Sequence, residues 1–250
     1  MIRAIRLEFR KMRRLRTGLI LAILIVAVAA LSSASLFAGS TRESFEDPAA
    51  APWAALLLTY TMMAAMTSPI LTAVLASRQT DIEHSGVGWT LASTAGYAPG
   101  TLCRAKLAAL SLILLPALAA QSLLVIGIGM FAGIEVPLDI GPWAGYTALL
   151  FVMDVAFLAL HVWLASVVEN QLISVGVGML GAFMAVFSLL IPGVVSRFIP
   201  WGYFAVISHA GQRGDDVVYL TPPYVWIVGF VLLVAVVFTS ATRRLDRIER

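Results

Sequence analysis

A chain of 250 residues that is 60% hydrophobic and only 12% charged does not fit a water-soluble domain, where about 25% of residues carry charge. Its single cysteine, Cys103, excludes an internal disulfide and a cysteine-based metal cluster. The net charge of +3 is small, so the placement of the charges says more than their sum.

In residues 1–16, Ile2, Ile5, Phe9 and Met12 recur at 3–4–3 spacing, and so do Arg3, Arg6, Arg10 and Arg13. On a 3.6-residue helix these form an apolar stripe beside a basic one. That pattern predicts an interfacial helix with Arg6, Arg10 and Arg13 against anionic lipid headgroups. A disordered basic tail is the plainer alternative, and the double periodicity favours the helix.

A spanning helix needs about 20 apolar residues, because each residue rises about 1.5 Å through a core about 30 Å thick. Stretches 17–41, 48–77, 107–134, 170–196 and 217–242 contain no Asp, Glu, Lys or Arg, and 140–168 is broken only by Asp154. They predict six spans, at about 18–38, 53–77, 106–131, 143–168, 171–195 and 224–242. Backbone groups in lipid must be satisfied within the protein, so these are helices; a barrel would show short alternating segments instead. The first stretch is longer than a signal-peptide apolar region and reads as a span rather than a cleaved leader. The expected fold is an all-α membrane protein with an N-terminal interfacial elbow helix, its 250 residues making one transmembrane domain.

All but Arg42, Arg197 and Arg213 of the 17 Lys and Arg fall in the termini or the even-numbered connections. The positive-inside rule then places both termini in the cytoplasm. The protein is expected in the plasma membrane as a multi-pass chain.

The connection at 78–105 is the most informative stretch. It begins with Asp81, Glu83 and His84, has an apolar centre of Val87, Trp89 and Leu91, breaks at Pro99-Gly100 and ends at Lys106. An apolar cytoplasmic segment with a large aromatic suggests a short helix docking on a partner. A re-entrant or interface-lying loop is the alternative.

Asp154 lies near the middle of span four, with His161 seven residues on, about 10 Å along the same face. A mid-membrane charge costs about 2.5–3.5 kcal/mol on insertion scales, so intramembrane acids default to function, here a polar patch on a cargo path or permease seam. The packing alternative is an Asp154 held neutral, or bonded to a neighbour such as Gln121 of span three. Gly129-x-x-x-Gly133 and Gly141-x-x-x-Gly145 carry no reading, since 19 glycines produce such matches by chance.

The chain has no G-x-x-x-x-G-K-[ST] phosphate loop, no H-E-x-x-H and no G-x-S-x-G. Its three histidines, His84, His161 and His209, sit in separate segments, and no metal site is expected. No nucleic-acid partner is expected either.

The basic elbow, the six spans and the run from Glu83 through Gly86, Trp89-x-Leu91 and Pro99 to Arg104-x-Lys106 resemble permease subunits of type-2 ABC exporters. Together with Ile199-Pro-Trp-Gly-Tyr-Phe after span five, they look most like the lantibiotic-immunity and bacitracin-type branch. The resemblance implies that the loop after span two forms a coupling helix within 81–92. Its ATPase contacts would be Asp81, Glu83, His84, Trp89 and Leu91. Asp81-Ile82-Glu83-His84 departs from the commoner pattern, which has an Arg after the first acid. The resemblance further implies two separate ATPase subunits per complex, which bind the ATP and Mg, and a second permease, identical or homologous. The chain itself would be no enzyme. ATP would drive export of an amphipathic cargo, an antimicrobial peptide or hydrophobic drug. The rival expectation is a non-transporting membrane sensor or assembly partner.

Overall fold

The computed structural model describes residues 2–37, 45–86 and 88–248, so Arg42, Val87 and Arg250 lie outside the described residues. The protein is 81% helical, with six helices long and apolar enough to cross a membrane.

Helix α1 (Ile2–Arg14) is separated from α2 (Thr17–Ser33) by Arg16, whose φ of 53° breaks the helical path. Helix α3 (Pro52–Ser85) is the central element and packs on α2, on α6 (Ile140–Val167) and on α7 (Gln171–Ser188). Short α4 (Gly88–Thr94) links it to α5 (Pro99–Ala132), which packs on α2, α6 and the last helix, α10 (Tyr224–Ile248). Sequence chemistry sets several ends. Pro52 and Pro99 occupy first-turn positions, where a missing N–H is harmless. Asp139 and Asn170 cap α6 and α7 by accepting from the Gly141 and Leu172 amides at 3.0 and 2.9 Å. Gly133, at φ 98°, ends α5.

Three segments depart from the predicted spans. Helix α3 continues past Ser77 to Ser85, because the polar residues of that extension find partners within the protein. Helix α5 likewise starts at Pro99, well before Lys106. Span five stops at Ser188 instead of 195: Pro192-Gly193 interrupts it, and the chain turns back through α8 (Gly193–Ser196), a 3-10 turn at Pro200–Gly202 and α9 (Tyr203–Val206). The Ser196 hydroxyl donates to the Ser188 carbonyl at 2.9 Å and closes this turn. Beyond it, β1 (Ala210–Arg213) pairs antiparallel with β2 (Asp216–Tyr219) around Gly214 at φ 67°, a hairpin in an otherwise helical chain.

Between apolar helices in lipid, close packing replaces water exclusion as the source of association. Helix α7 packs closely on α3, and its buried small residues include Gly178, which faces α3, and Gly181, which faces the Trp201 indole. A Cβ on Gly178 would stand 2.6 Å from that of Ala73 and 2.8 Å from the Pro69 carbonyl oxygen, so only glycine allows this approach. Two glycines of the motifs set aside above also seat large side chains. Gly129 lies under the Trp53 indole, where a Cβ would come within 2.7 Å, and Gly145 lies under His209, where it would come within 2.6 Å. Trp53 donates to the Val136 carbonyl at 2.7 Å and meets Trp143 edge-on, while Tyr60 stacks on Trp143 with centroids 6.1 Å apart. This aromatic cluster fills the end of the bundle away from the termini.

Candidate functional site

At the opposite end, which carries both termini, four ionised side chains meet. Lys106 of α5 is 0% exposed. Its ammonium donates to Glu8 Oε2 of α1 at 3.0 Å, Glu83 Oε2 of α3 at 2.8 Å and the Gln79 carbonyl at 2.8 Å. All three of its protons are therefore accounted for. Lys11 bridges the other carboxylate oxygens, Glu8 Oε1 at 2.7 Å and Glu83 Oε1 at 2.5 Å. The Gln79 amide donates to Glu8 Oε2 at 2.6 Å. Two carboxylates and two ammoniums leave the cluster neutral, the condition under which buried charges are tolerated. Burial alone would raise the Glu8 carboxyl, but Lys106, with Lys11 and Gln79, outweighs it and holds it below the usual 4.5. Burial likewise pulls Lys11 down, and Glu8 and Glu83 outweigh it and hold it above 10.5.

The short helix α4 is docked by one aromatic contact. The Trp89 indole meets the His84 ring edge-on at 5.7 Å, and its Nε1 donates to His84 Nδ1 at 3.3 Å. Indole nitrogen only donates and a carbonyl only accepts. His84 Nδ1 is thus the acceptor, and the proton sits on Nε2, which donates to the Ala165 carbonyl at 2.8 Å. The neutral imidazole ties α3, α4 and the end of α6 together. On the other side of α4, Leu91 is 65% exposed. At the start of α5, a Cβ on Gly100 would clash with the Thr242 carbonyl of α10. Beside it Arg104 pairs with Asp246 at 2.8 Å.

These positions redistribute the residues read from the sequence. Glu83 is buried in the charge cluster, where Lys106 and Lys11 hold its oxygens. Asp81 and His84 lie on α3 rather than on a separate loop helix, and Asp81 is half-buried. Trp89 faces its own bundle, which leaves Leu91 as the exposed apolar side chain of α4.

Asp154 is fully enclosed, and its partner is Ser68 of α3, whose hydroxyl donates to Oδ2 at 3.3 Å. It does not bond Gln121, whose amide donates instead to the Tyr60 hydroxyl at 3.1 Å. His161 is also buried and meets Ser174 of α7 at 3.1 Å, so the two residues of α6 reach different helices. Helix α1 buries Ala4, Glu8 and Met12, while Arg6, Arg10 and Arg13 are exposed on its far side. Ile5 and Phe9 rest on the protein core rather than on an open apolar face, and Ile2 is exposed.

The charge cluster itself was not read from the sequence. Its signal was available: Lys106 sits among Cys103, Leu110 and Ala109, and Glu8 is the single acid of a basic helix. An ion on an otherwise apolar face implies a partner. Among the described residues no group of His, Cys, Asp or Glu is placed to hold a metal ion.

Residues 4–185 match the family described as ABC-2 family transporter protein. No curated protein matches the chain. The matched stretch runs from the elbow helix through the charge cluster and α4 into α7, and thus contains the elements just described. By this match the chain belongs to the ABC-2 transporter family, as the multi-pass membrane permease of an ABC transporter.

Proposed function

We propose that the chain is the membrane half of an ATP-driven exporter, with both termini and α4 in the cytoplasm and α4 seated on an ATPase subunit. The observation that carries this reading is Leu91, 65% exposed on a seven-residue helix at the terminus-bearing face. An apolar side chain held out on a short docked helix is what a protein partner buries. The bias of Lys and Arg toward the same face supports its cytoplasmic placement. Arg6, Arg10 and Arg13 then meet the inner-leaflet headgroups.

Closure of two ATPase subunits on ATP would press on α4 in this permease and in a second one, identical or homologous. The push would reach α3 and α6 through Trp89 and His84, and α1 and α5 through the charge cluster. A tight polar joint of this kind moves as a unit, so α1, α3 and α5 would tilt together between two packed arrangements. The family resemblance supports an amphipathic cargo, an antimicrobial peptide or hydrophobic drug taken from the membrane. Asp154 is a packing residue in this scheme, since it is enclosed between α3 and α6.

The test is co-purification with the partner ATPase. Leu91→Ala should weaken assembly roughly tenfold, the loss of about 1.5 kcal/mol from one buried leucine. Cysteines placed at 88–94 should crosslink to the ATPase most strongly on the face of Leu91. Crosslinks only within the permease, together with normal assembly of Leu91→Ala, would refute the docking of α4.

A further inference from the structure

Arg197 stands at the bundle end away from the termini, just after α8. Its guanidinium lies 5.6 Å over the Trp226 ring, and its Nε is buried with no hydrogen-bond partner. Among the described residues no acid lies within ion-pair distance of it. A guanidinium carries five donors in a planar fork suited to an oxyanion, so this cation lacks its complement. It stands over Trp226, and Tyr203 lines the same hollow; Trp and Tyr are the residue types that mark a membrane–water boundary.

Below Arg197 the surface is hollow. Arg197, Tyr203, Trp226 and Gly229 border a cavity of about 550 Å³. Pro200, Phe230 and Leu233 belong both to it and to a second cavity of about 290 Å³, which continues between α6 and α10 to Trp163 and Ala241. From Val225 to Ala241 the groove follows α10 for about 24 Å, longer than one leaflet of about 15 Å. Apart from Arg197 at its mouth, its lining is apolar or aromatic. A cation at the headgroup boundary above an apolar groove long enough to take an acyl chain of one leaflet has the layout of one kind of molecule.

We propose that this groove binds a glycerophospholipid of the leaflet opposite the termini, its phosphate on the Arg197 guanidinium and one acyl chain along Gly229 and Leu233. Charge complementarity selects this occupant, since an apolar helix of a partner would leave Arg197 unmatched. The lipid chain occupies the space between the reversed segment and α10, whose outward side chains Val225, Val228 and Leu232 are already exposed. Gly229 keeps the groove open, since nothing lies within 4 Å of where its Cβ would be.

Native mass spectrometry of the full chain in detergent, titrated with dioleoylphosphatidylglycerol, tests this. One lipid per chain should bind ahead of the rest. Arg197→Gln should weaken that binding about tenfold, the loss of one charge-assisted contact, and Arg197→Lys should weaken it less. Gly229→Leu puts a side chain into the groove from a Cβ that meets nothing and should abolish the tight lipid while leaving the melting temperature unchanged or higher, because leucine is the better helix former. Dioleoylglycerol, which lacks the phosphate, should bind as weakly to the native chain as to Arg197→Gln. Equal lipid binding by the native chain, Arg197→Gln and Gly229→Leu would overturn the proposal. Displacement of the lipid by millimolar glycerol 3-phosphate would make this an anion site instead, and crosslinking of Gly229→Cys chains to each other would make it a chain–chain seam.

Discussion

Lys106 and Arg104 stand two residues apart near the start of α5, yet they work in different surroundings. Lys106 is 0% exposed and gives all its protons to Glu8, Glu83 and Gln79, joining α1, α3 and α5. Arg104 is 29% exposed and Asp246 23%, and their pair joins α5 to α10. In the buried joint, removing one ion strands the others away from water, whereas in the open joint water takes over. The stability of the first depends on charge balance. The second depends on backbone fit at Gly100, with the ion pair as a minor addition.

Breaking the buried joint should have the largest effect. Lys106→Met leaves Glu8 and Glu83 facing Lys11 alone and should lower stability by about 3–5 kcal/mol, read as thermal unfolding in detergent. Adding Glu83→Gln restores neutrality and should recover at least half of that loss. Failure to recover would mean that lost packing, not stranded charge, was the cause.

Acid should open the same joint more gently. The Glu8 carboxyl is held below 4.5 when folded, so its stabilisation is present above pH 4.5 and fades as pH falls through the lower folded value. Lys11 is held above 10.5, so its contribution is complete below pH 10.5 and fades only as pH rises through the higher folded value. The melting temperature should therefore show no loss from this cluster between those limits. Glu8→Gln should flatten the acid limb, and an unchanged limb would separate Glu8 from acid unfolding.

At the open joint, Gly100→Ala should cost about 1–3 kcal/mol by pushing α10 from α5. Gly176→Ala, where a Cβ meets nothing, should be neutral or stabilising by up to about 1 kcal/mol. Asp246→Asn should have the smallest effect, about 0.2–1 kcal/mol, shrinking further in high salt. A double-mutant cycle with Arg104→Gln measures it. A larger coupling would show that the pair is less open to water than its exposure suggests.

Apolar runs longer than a membrane is thick are hard to mistake, and the six helices follow from them. The ends were harder to read, because a charge looks like solvated loop until its partner is known. Glu83 lies 23 residues from Lys106 and Glu8 lies 98 from it, separations across which no local periodicity operates. The regular Arg3, Arg6, Arg10 and Arg13 also drew the eye from Glu8, although Ala4, Glu8 and Met12 define the buried face. Trp89 was legible as a large aromatic in need of a partner, but its contact with His84, five residues away within the chain, was not. The end of span five was lost because Leu190 and Val194 keep the composition apolar while Pro192-Gly193 turns the backbone.

The buried joint also sets a timetable for making the protein. Glu8 leaves the ribosome 98 residues before Lys106, roughly 5–20 s earlier at ordinary synthesis rates. Glu83 emerges in the last turn of α3 with Lys106, its partner from α5, still unmade. During that interval Glu8 and Glu83 have only Lys11 of their two lysine partners, so the cluster is incomplete. The third span completes the lock. A chain interrupted before Lys106 lacks the ammonium that bridges Glu8 and Glu83 from α5, and its charge cluster stays unfinished.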